Sequence, residues 1–484
     1  MKEQYGTVTL ETGLAPLDIA VGLASAEIFD TSVAYETPQE WSIAGGVAAE
    51  VVVDADSIRC TRSGVTRVEP WFGEPLTAVQ RFLAELPVEG WTAYGWCAFE
   101  LAHALTGIGV DPGTLMHLVV PRTELTVSGS RVTVRSLDEE ALTAVREALA
   151  RIDAGRAGAG ARPEEEARAA VPVDLEAGAE AYVRGVGSLV EEIRAGTLHK
   201  AILSRAIPVG TAVDFPASYR KGRVSNTPAR SFLLDMGGLR SFGFSPETVV
   251  EVTADRRVAS QPLAGSRART GDPETDRKLR EDLLSDPKEL HEHAISVKLA
   301  VDELTGPCKP ESVVVEEYMS VKERGSVQHL GSRVVGRMPE GASPWDAFAA
   351  VFPAVTASGI PKHAAYQAIR RHEPDRRGPY AGVVMKVAES GAMDAALVLR
   401  SVYEQDGRTW LRAGAGVVEH SVPERELEET REKLRSVAAS LLARAEGAGD
   451  AGADAGEAGA AVARSAVTGA AVTGASPAGP AARH

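Results

Sequence analysis

Two acidic runs carry the most chemically suggestive spacing in the chain. Glu426, Glu429 and Lys433 fall at i, i+3 and i+7, which at roughly 100° per residue places them on one strip of a helix. Leu427, Leu434, Val437 and Leu441 take the adjoining apolar face, and Glu424, Glu428 and Glu432 take the wet side. A similar pattern recurs upstream. Glu289, Glu292 and Ser296 border a predicted apolar stripe of Leu290, Ala294, Val297 and Val301. A carboxylate flanked by apolar side chains is costly without a cation. Such carboxylates suit an ion or ligand site; the competing reading is a solvated, salt-bridged surface in an acidic protein.

Four further residues stand where chemistry is possible. Lys200, in the predicted strand LHKAILSRAIPV, shares a face with Ile202 and Ser204. It reads either as a charge guarding a sheet edge or as a base whose pKa burial lowers. Glu247 sits where Ser245-Pro246 breaks a strand, a bend from which a side chain can enter a cleft. His329 lies inside a strand-like run, where a lone histidine is ordinarily a hydrogen-bonded core residue. Arg400 shares a strand face with Val398 and Val402, a setting that calls for a buried anion.

The elements that must hold these residues follow from pattern and punctuation. Trp410–Val418 reads as a strand whose Gly414 and Gly416 bring bare backbone close to whatever lies above it. Ser421 is the predicted N-cap of the helix that follows, with Glu424 completing a capping box. Asp286-Pro287-Lys288-Glu289 opens the other acidic helix in the same way, and Gly306-Pro307 ends it. Ser231–Met236 and Leu239–Phe244, joined by Gly237-Gly238, form a hairpin. Thr126–Val134, Tyr380–Ala388 and Asp394–Tyr403 read as strands, and Gly265 and Ser266 present backbone amides. Trp91–Leu105 is apolar enough to be core.

The totals bound the class. With 484 residues, 44% hydrophobic and 25% charged, the chain can bury a large core and suits a soluble globular protein. A net charge of −15 argues against nucleic acid and anionic membrane surfaces as partners. An anionic substrate would therefore need local cations or a metal. Cys60, Cys97 and Cys308 have no metal-ligand spacing, and the N-terminal residues lack an apolar signal core, so a cytoplasmic location is expected.

Ten motifs occur in the order found in chorismate-utilising enzymes: HKAILSR, FSPE, PLAGSR, KELHEHAISV, ERGSVQHLGS, FPAVTASGIPK, RGPYAG, AALVLRS, WLRAGAG and ERELEETREK. The sequence resembles this family strongly over about residues 175–445, and within it the salicylate synthases of siderophore pathways, the mycobactin type above all. The resemblance implies an α/β (α+β) fold of two large antiparallel sheets packed together, with outer helices and the active site in a cleft. It divides the chain into an N-terminal part of the fold at 1–152, a flexible linker at 153–172, a chorismate-binding catalytic part at 173–445, and a disordered Ala/Gly-rich tail at 446–484.

It also implies roles. Glu292 and Glu429 would bind Mg²⁺, with Glu289 and Glu426 holding its waters. Lys200 would be the base that activates water, Glu247 the acid that protonates the departing hydroxyl, and His329 the group beside the leaving side chain. Tyr380 and Arg400 would grip the pyruvyl carboxylate. Gly265, Ser266, Thr356, Gly414 and Lys433 would line the substrate. The expected reaction takes chorismate through isochorismate to salicylate and pyruvate, by a monomer without a glutaminase subunit. An enzyme that stops at isochorismate is the nearest alternative, and an anthranilate synthase large subunit a more distant one. Two departures are mild: Ser266 stands where threonine is usual, and Gln261 where an acid is.

Overall fold

The computed structural model describes residues 2–158, 168–325 and 327–445. Two sheets dominate it, and every strand pair within them is antiparallel. The first has 11 strands in the order Gly6–Glu11, Arg131–Ser136, Thr123–Ser128, Trp41–Gly45, Ser32–Glu36, Arg230–Met236, Leu239–Ser245, Ser401–Gln405, Arg408–Val417, Lys200–Val209 and Gly359–Ile360. The second has 12. Its path runs Leu263–Ala268, Val327–Arg337, Arg257–Ser260, Thr248–Val252, Met393–Leu397, Val383–Ala388, Thr92–Cys97, Met116–Val120, Ala49–Val53, Ser57–Arg62 and Val65–Pro70, with Val314–Arg324 paired to Val327–Arg337 at one side. In both orders the strands from before residue 160 form one contiguous block and those from after it the other, so each sheet needs both parts of the chain.

The main core lies between the sheets. Val33, Tyr35, Phe232 and Leu234 of the first meet Val51, Trp96, Val384 and Ala396 of the second, all buried. A second core forms where helices, among them Pro16–Ser25, Phe215–Ser225 and Pro423–Ala438, cover the outer face of the first sheet. Trp91–Leu105 is buried core, as its composition predicts. No helix among the described residues is long and apolar enough to cross a membrane.

Two neighbouring passages of the chain from one sheet to the other shape the site. Leu239–Ser245 belongs to the first sheet and Thr248–Val252 to the second, with Glu247 between them. The predicted strand Asp394–Tyr403 is in fact two: Met393–Leu397 in the second sheet and Ser401–Gln405 in the first. Arg400 therefore lies on no strand face. It occupies the crossing with φ 51°, a left-handed conformation that a non-glycine residue holds only when its surroundings over-determine it. The two crossings are tied together: Phe244 N donates to Arg400 O and Leu397 N to Glu247 O, both at 3.2 Å.

Other expectations shift for local reasons. Thr126–Val134 is a hairpin that turns at Gly129-Ser130. Tyr380 precedes its strand, which starts at Val383. The helix Glu139–Gly158 runs into the predicted linker, because Ala154, Arg156 and Ala157 favour helix enough to carry Gly155 between them. The rest of 153–172 up to Arg168, and the tail at 446–484, lie outside the described residues. Ser421 is not an N-cap. Pro423 fixes the first helical position, Val422 becomes the cap, and Ser421 Oγ accepts from Val418 N at 3.0 Å within the preceding turn. On the Pro287–Thr305 helix the buried face is His293, Ser296, Val297, Ala300 and Leu304, rotated from the predicted stripe because His293 Nε2 bonds Ser332 Oγ at 2.7 Å inside the protein.

Candidate active site

A cavity of about 250 Å³ opens between the sheet edges and two acidic helices, Pro287–Thr305 and Pro423–Ala438. All fourteen residues singled out above line it: Lys200, Glu247, Gly265, Ser266, Glu289, Glu292, His329, Thr356, Tyr380, Arg400, Gly414, Glu426, Glu429 and Lys433. Sequence separations of up to 233 residues close on one hollow.

Lys200 begins its strand, and its side chain passes over Gly416, where an added Cβ would lie 3.1 Å from Lys200 Cε. Its ammonium donates to Glu292 Oε2 at 2.9 Å. The same charge, together with Lys433 and Lys288, acts on Glu429. Burial pushes the Glu429 carboxyl up, but these ammonium groups outweigh burial and hold it below the usual range. Glu292 and Glu429, on different helices, are thus both within electrostatic reach of one cation. Glu426 differs: burial and the Glu429 charge raise it. Glu289 accepts from Arg267 Nη1 at 3.2 Å, so it is anchored by the PLAGSR strand. Among the described residues, no group of three or more His, Cys, Asp or Glu is gathered closely enough to form a metal cage.

Glu247 is 2% exposed. Its Oε1 accepts from Thr356 Oγ1, and its Oε2 accepts from Leu263 N at 2.9 Å. Both bonds favour the anion, yet burial dominates and pushes its pKa up to about 8. A carboxylic acid that keeps its proton at neutral pH is the form a proton donor needs.

Arg400 has no carboxylate partner among the described residues. Its Nη1 donates to Arg324 O at 3.1 Å and its Nη2 reaches His329 Nε2 at 3.1 Å. Burial, with the Arg324 charge, lowers its pKa to about 10. A guanidinium can only donate, so His329 Nε2 is the acceptor and its proton sits on Nδ1. Burial and then the Arg400, Lys433 and Arg324 charges push His329 down to about 3, so the imidazole is neutral at working pH. Its Nε2 fixes the position of the Arg400 guanidinium. Ser266 pairs with His329 across the strands, beside a bulge at Gly265 whose φ of 76° suits glycine.

Tyr380 is held from behind by the guanidiniums of Arg377 and Arg412, 5.7 and 5.8 Å from its ring centre. Both arginines bind Glu373, at 2.6 and 2.5 Å, and all three side chains are at most 3% exposed. Glu373 also receives Ser204 N and Oγ from the Lys200 strand. Replacing Glu373 with glutamine leaves two buried guanidiniums uncompensated and is expected to cost about 3–5 kcal/mol, read as a lower denaturant midpoint. The sequence reading passed over this cluster, and also Lys288, 3.9 Å from Glu292 Oε1 and one turn before it. Lys288 was legible from its i, i+4 spacing; Glu373 and Arg377 share that spacing, but no local pattern marks their burial or the arrival of Arg412.

Comparison with known proteins identifies the family and the fold. The model of a family described as chorismate binding enzyme matches residues 30–439. A salicylate synthase from Mycolicibacterium paratuberculosis is 43% identical over 455 residues, covering 90% of this chain and 96% of the relative. The structure of anthranilate synthase component I from Streptococcus pneumoniae superposes with a TM-score of 0.68 at 26% identity, over 83% of this chain and 93% of that one. The menaquinone-specific isochorismate synthase of Escherichia coli, at 21% identity and a TM-score of 0.65, covers 90% of this chain and 96% of its own, and shares the fold.

Proposed function

We propose a function from one premise: this chain belongs to the family of chorismate-binding enzymes. It is a salicylate synthase, converting chorismate through isochorismate to salicylate and pyruvate. The observation that carries this reading is a lysine and a buried glutamic acid, its pKa raised by burial, on one cavity, in a chain 43% identical to a salicylate synthase over nine-tenths of its length.

The residues supply the proton chemistry. Lys200 must first give up a proton and release Glu292, because an ammonium that donates has no lone pair. As the free amine it takes a proton from the water that adds at C2 of the ring. Glu247 gives its proton to the C4 hydroxyl, which leaves as water. One water enters, one departs, and isochorismate results. The C3–O bond to the enolpyruvyl group then breaks, the C2 hydrogen passes to the enolpyruvyl methylene, which becomes the methyl of pyruvate, and the ring becomes aromatic. Arg400 and Tyr380 hold the pyruvyl carboxylate, with neutral His329 fixing the guanidinium. Gly265, Ser266, Thr356, Gly414 and Lys433 frame the ring.

The acidic end fits Mg²⁺. Glu289, Glu292, Glu426 and Glu429 line one cavity, and carboxylate oxygens are the donors a hard cation prefers. Glu292 and Glu429 would hold the ion, with Glu426 and Glu289 behind its waters. When bound it supplies charge that fixes and polarises the ring carboxylate.

Purified protein given chorismate and Mg²⁺ should release salicylate and pyruvate in equal amounts, resolved by chromatography. EDTA should stop turnover and added Mg²⁺ restore it. Isochorismate alone would assign the two-step reading to the wrong branch, and anthranilate formed with added ammonia would overturn it. No ammonia donor is needed, so we expect a single chain acting without a glutaminase subunit, in the cytoplasm. A second test concerns Arg400. Arg400→Met is expected to lower kcat/KM about a hundredfold, mostly through KM, because it removes the charge that meets the pyruvyl carboxylate. Steady-state kinetics checks the split.

A further inference from the structure

A second, small cavity lies behind Glu247, away from the substrate. It measures about 20 Å³, room for a single water molecule. Glu247, Thr248, Ser260, Gln261, Glu303 and Thr356 supply its polar lining, and Ala300 and Val355 are among its apolar walls. Glu303 is ion-paired with Lys362 at 2.6 Å, and each side chain is 15% exposed. Lys362 Nζ also donates to Val351 O at 2.9 Å. The mechanism above uses neither residue.

We propose that a water in this cavity joins Glu247 to the Glu303–Lys362 pair, and that this path returns a proton to Glu247 after each turnover. The inference rests on the reading of Glu247 as the acid. Hydroxyl exchange leaves Glu247 one proton short and Lys200 one proton rich, on two groups separated by the ring. A proton that enters from solvent at the partly exposed pair crosses the water to Glu247, and Lys200 loses its extra proton through the mouth of the main cavity. The balance per turnover is zero. Thr356, which bonds Glu247 Oε1, is a hydroxyl that can donate to the carboxylate and accept from the acid, so it tolerates both states.

The pair is suited to passing a proton. Burial pushes Glu303 up and Lys362 down, each toward its neutral form, against the opposing charge of the other. The remaining groups that act on Glu303 are few: Asp302 on its own helix, and the Tyr366 hydroxyl from the Lys362–His372 helix. Carboxylate and ammonium together make a reservoir in contact with solvent on one side and with the cavity on the other.

The test removes both charges at once, so that neither is left buried alone. Glu303→Gln with Lys362→Met, in the full chain with Mg²⁺, should lower kcat about tenfold while KM stays within about twofold. Raising the concentration of imidazolium, a small acid able to enter the main cavity, should restore kcat toward that of the parent. Ala300→Val fills the water position and leaves the pair intact; it should show the same loss and the same rescue. Parental kcat in the double variant, or a loss that imidazolium does not touch, overturns the relay. Those outcomes are separate from failure of the functional reading, which would appear as an unsubstituted protein that does not turn over chorismate, or as full activity in Glu247→Gln.

Discussion

Glu247→Gln is expected to reduce the formation of isochorismate and salicylate by roughly two to four orders of magnitude, the range that general acid catalysis contributes. Glutamine keeps the shape and both hydrogen-bonding ends but cannot release a proton. Its carbonyl oxygen can accept from Leu263 N while its amide donates to Thr356 Oγ1, a hydroxyl able to reverse its role. The substituted site should therefore bind chorismate with little change in KM while kcat collapses. The parental rate should also fall as pH rises through about 8, because the active form of Glu247 is the protonated one. A variant that keeps more than a tenth of parental kcat, or a parental rate that holds flat through pH 9, would remove Glu247 from the acid's role.

The same group makes a prediction about stability that is independent of turnover. Its folded pKa is raised from 4.5 to about 8, so between these values the folded chain binds a proton that the unfolded chain does not. Stability tied to Glu247 therefore falls as pH rises across that window, and above it the buried carboxylate costs on the order of several kcal/mol. Glutamine carries no such cost. Glu247→Gln should melt at a temperature close to the parent's near pH 5 and above it near pH 9. A protein made less active and, at high pH, more stable by one substitution would mark a site where function opposes folding.

How much of this was legible beforehand depends on the range of the interaction. Helical spacing put Glu426, Glu429 and Lys433 on one strip, and the structure brings that strip to the cavity with Glu292. Proline and glycine punctuation located the bend at Glu247, and motif order located Arg400 and His329. What stayed hidden is whatever depends on which strand pairs with which. Asp394–Tyr403 has an unbroken β pattern, and no local signal says that its two parts join different sheets. The buried face of the Glu292 helix was misread because His293, polar by type, turns inward to Ser332. Glu373, Arg377 and Arg412 look like surface charges in sequence and are buried in the protein.

Lys200 poses the sharper test, because two roles predict the same loss on its removal. It is the proposed base, and it is also the present partner of Glu292. Lys200→Ala should lower water addition by roughly two to four orders of magnitude under either role. The roles part under rescue. If the ammonium mattered only as a counter-charge to Glu292 and Glu429, a higher Mg²⁺ concentration would neutralise the same carboxylates and recover most of the rate. If the lysine acts as the base, Mg²⁺ will not help, whereas a small amine such as methylamine will restore part of the rate, more so at higher pH. Gly416→Ala gives an intermediate case: its Cβ would press on Lys200 Cε at 3.1 Å and move the ammonium without deleting it. A partial loss there, with amine rescue in Lys200→Ala and none by Mg²⁺, is the expected combination. Recovery by Mg²⁺ alone would reduce Lys200 to a counter-ion and leave the cavity without its proton acceptor.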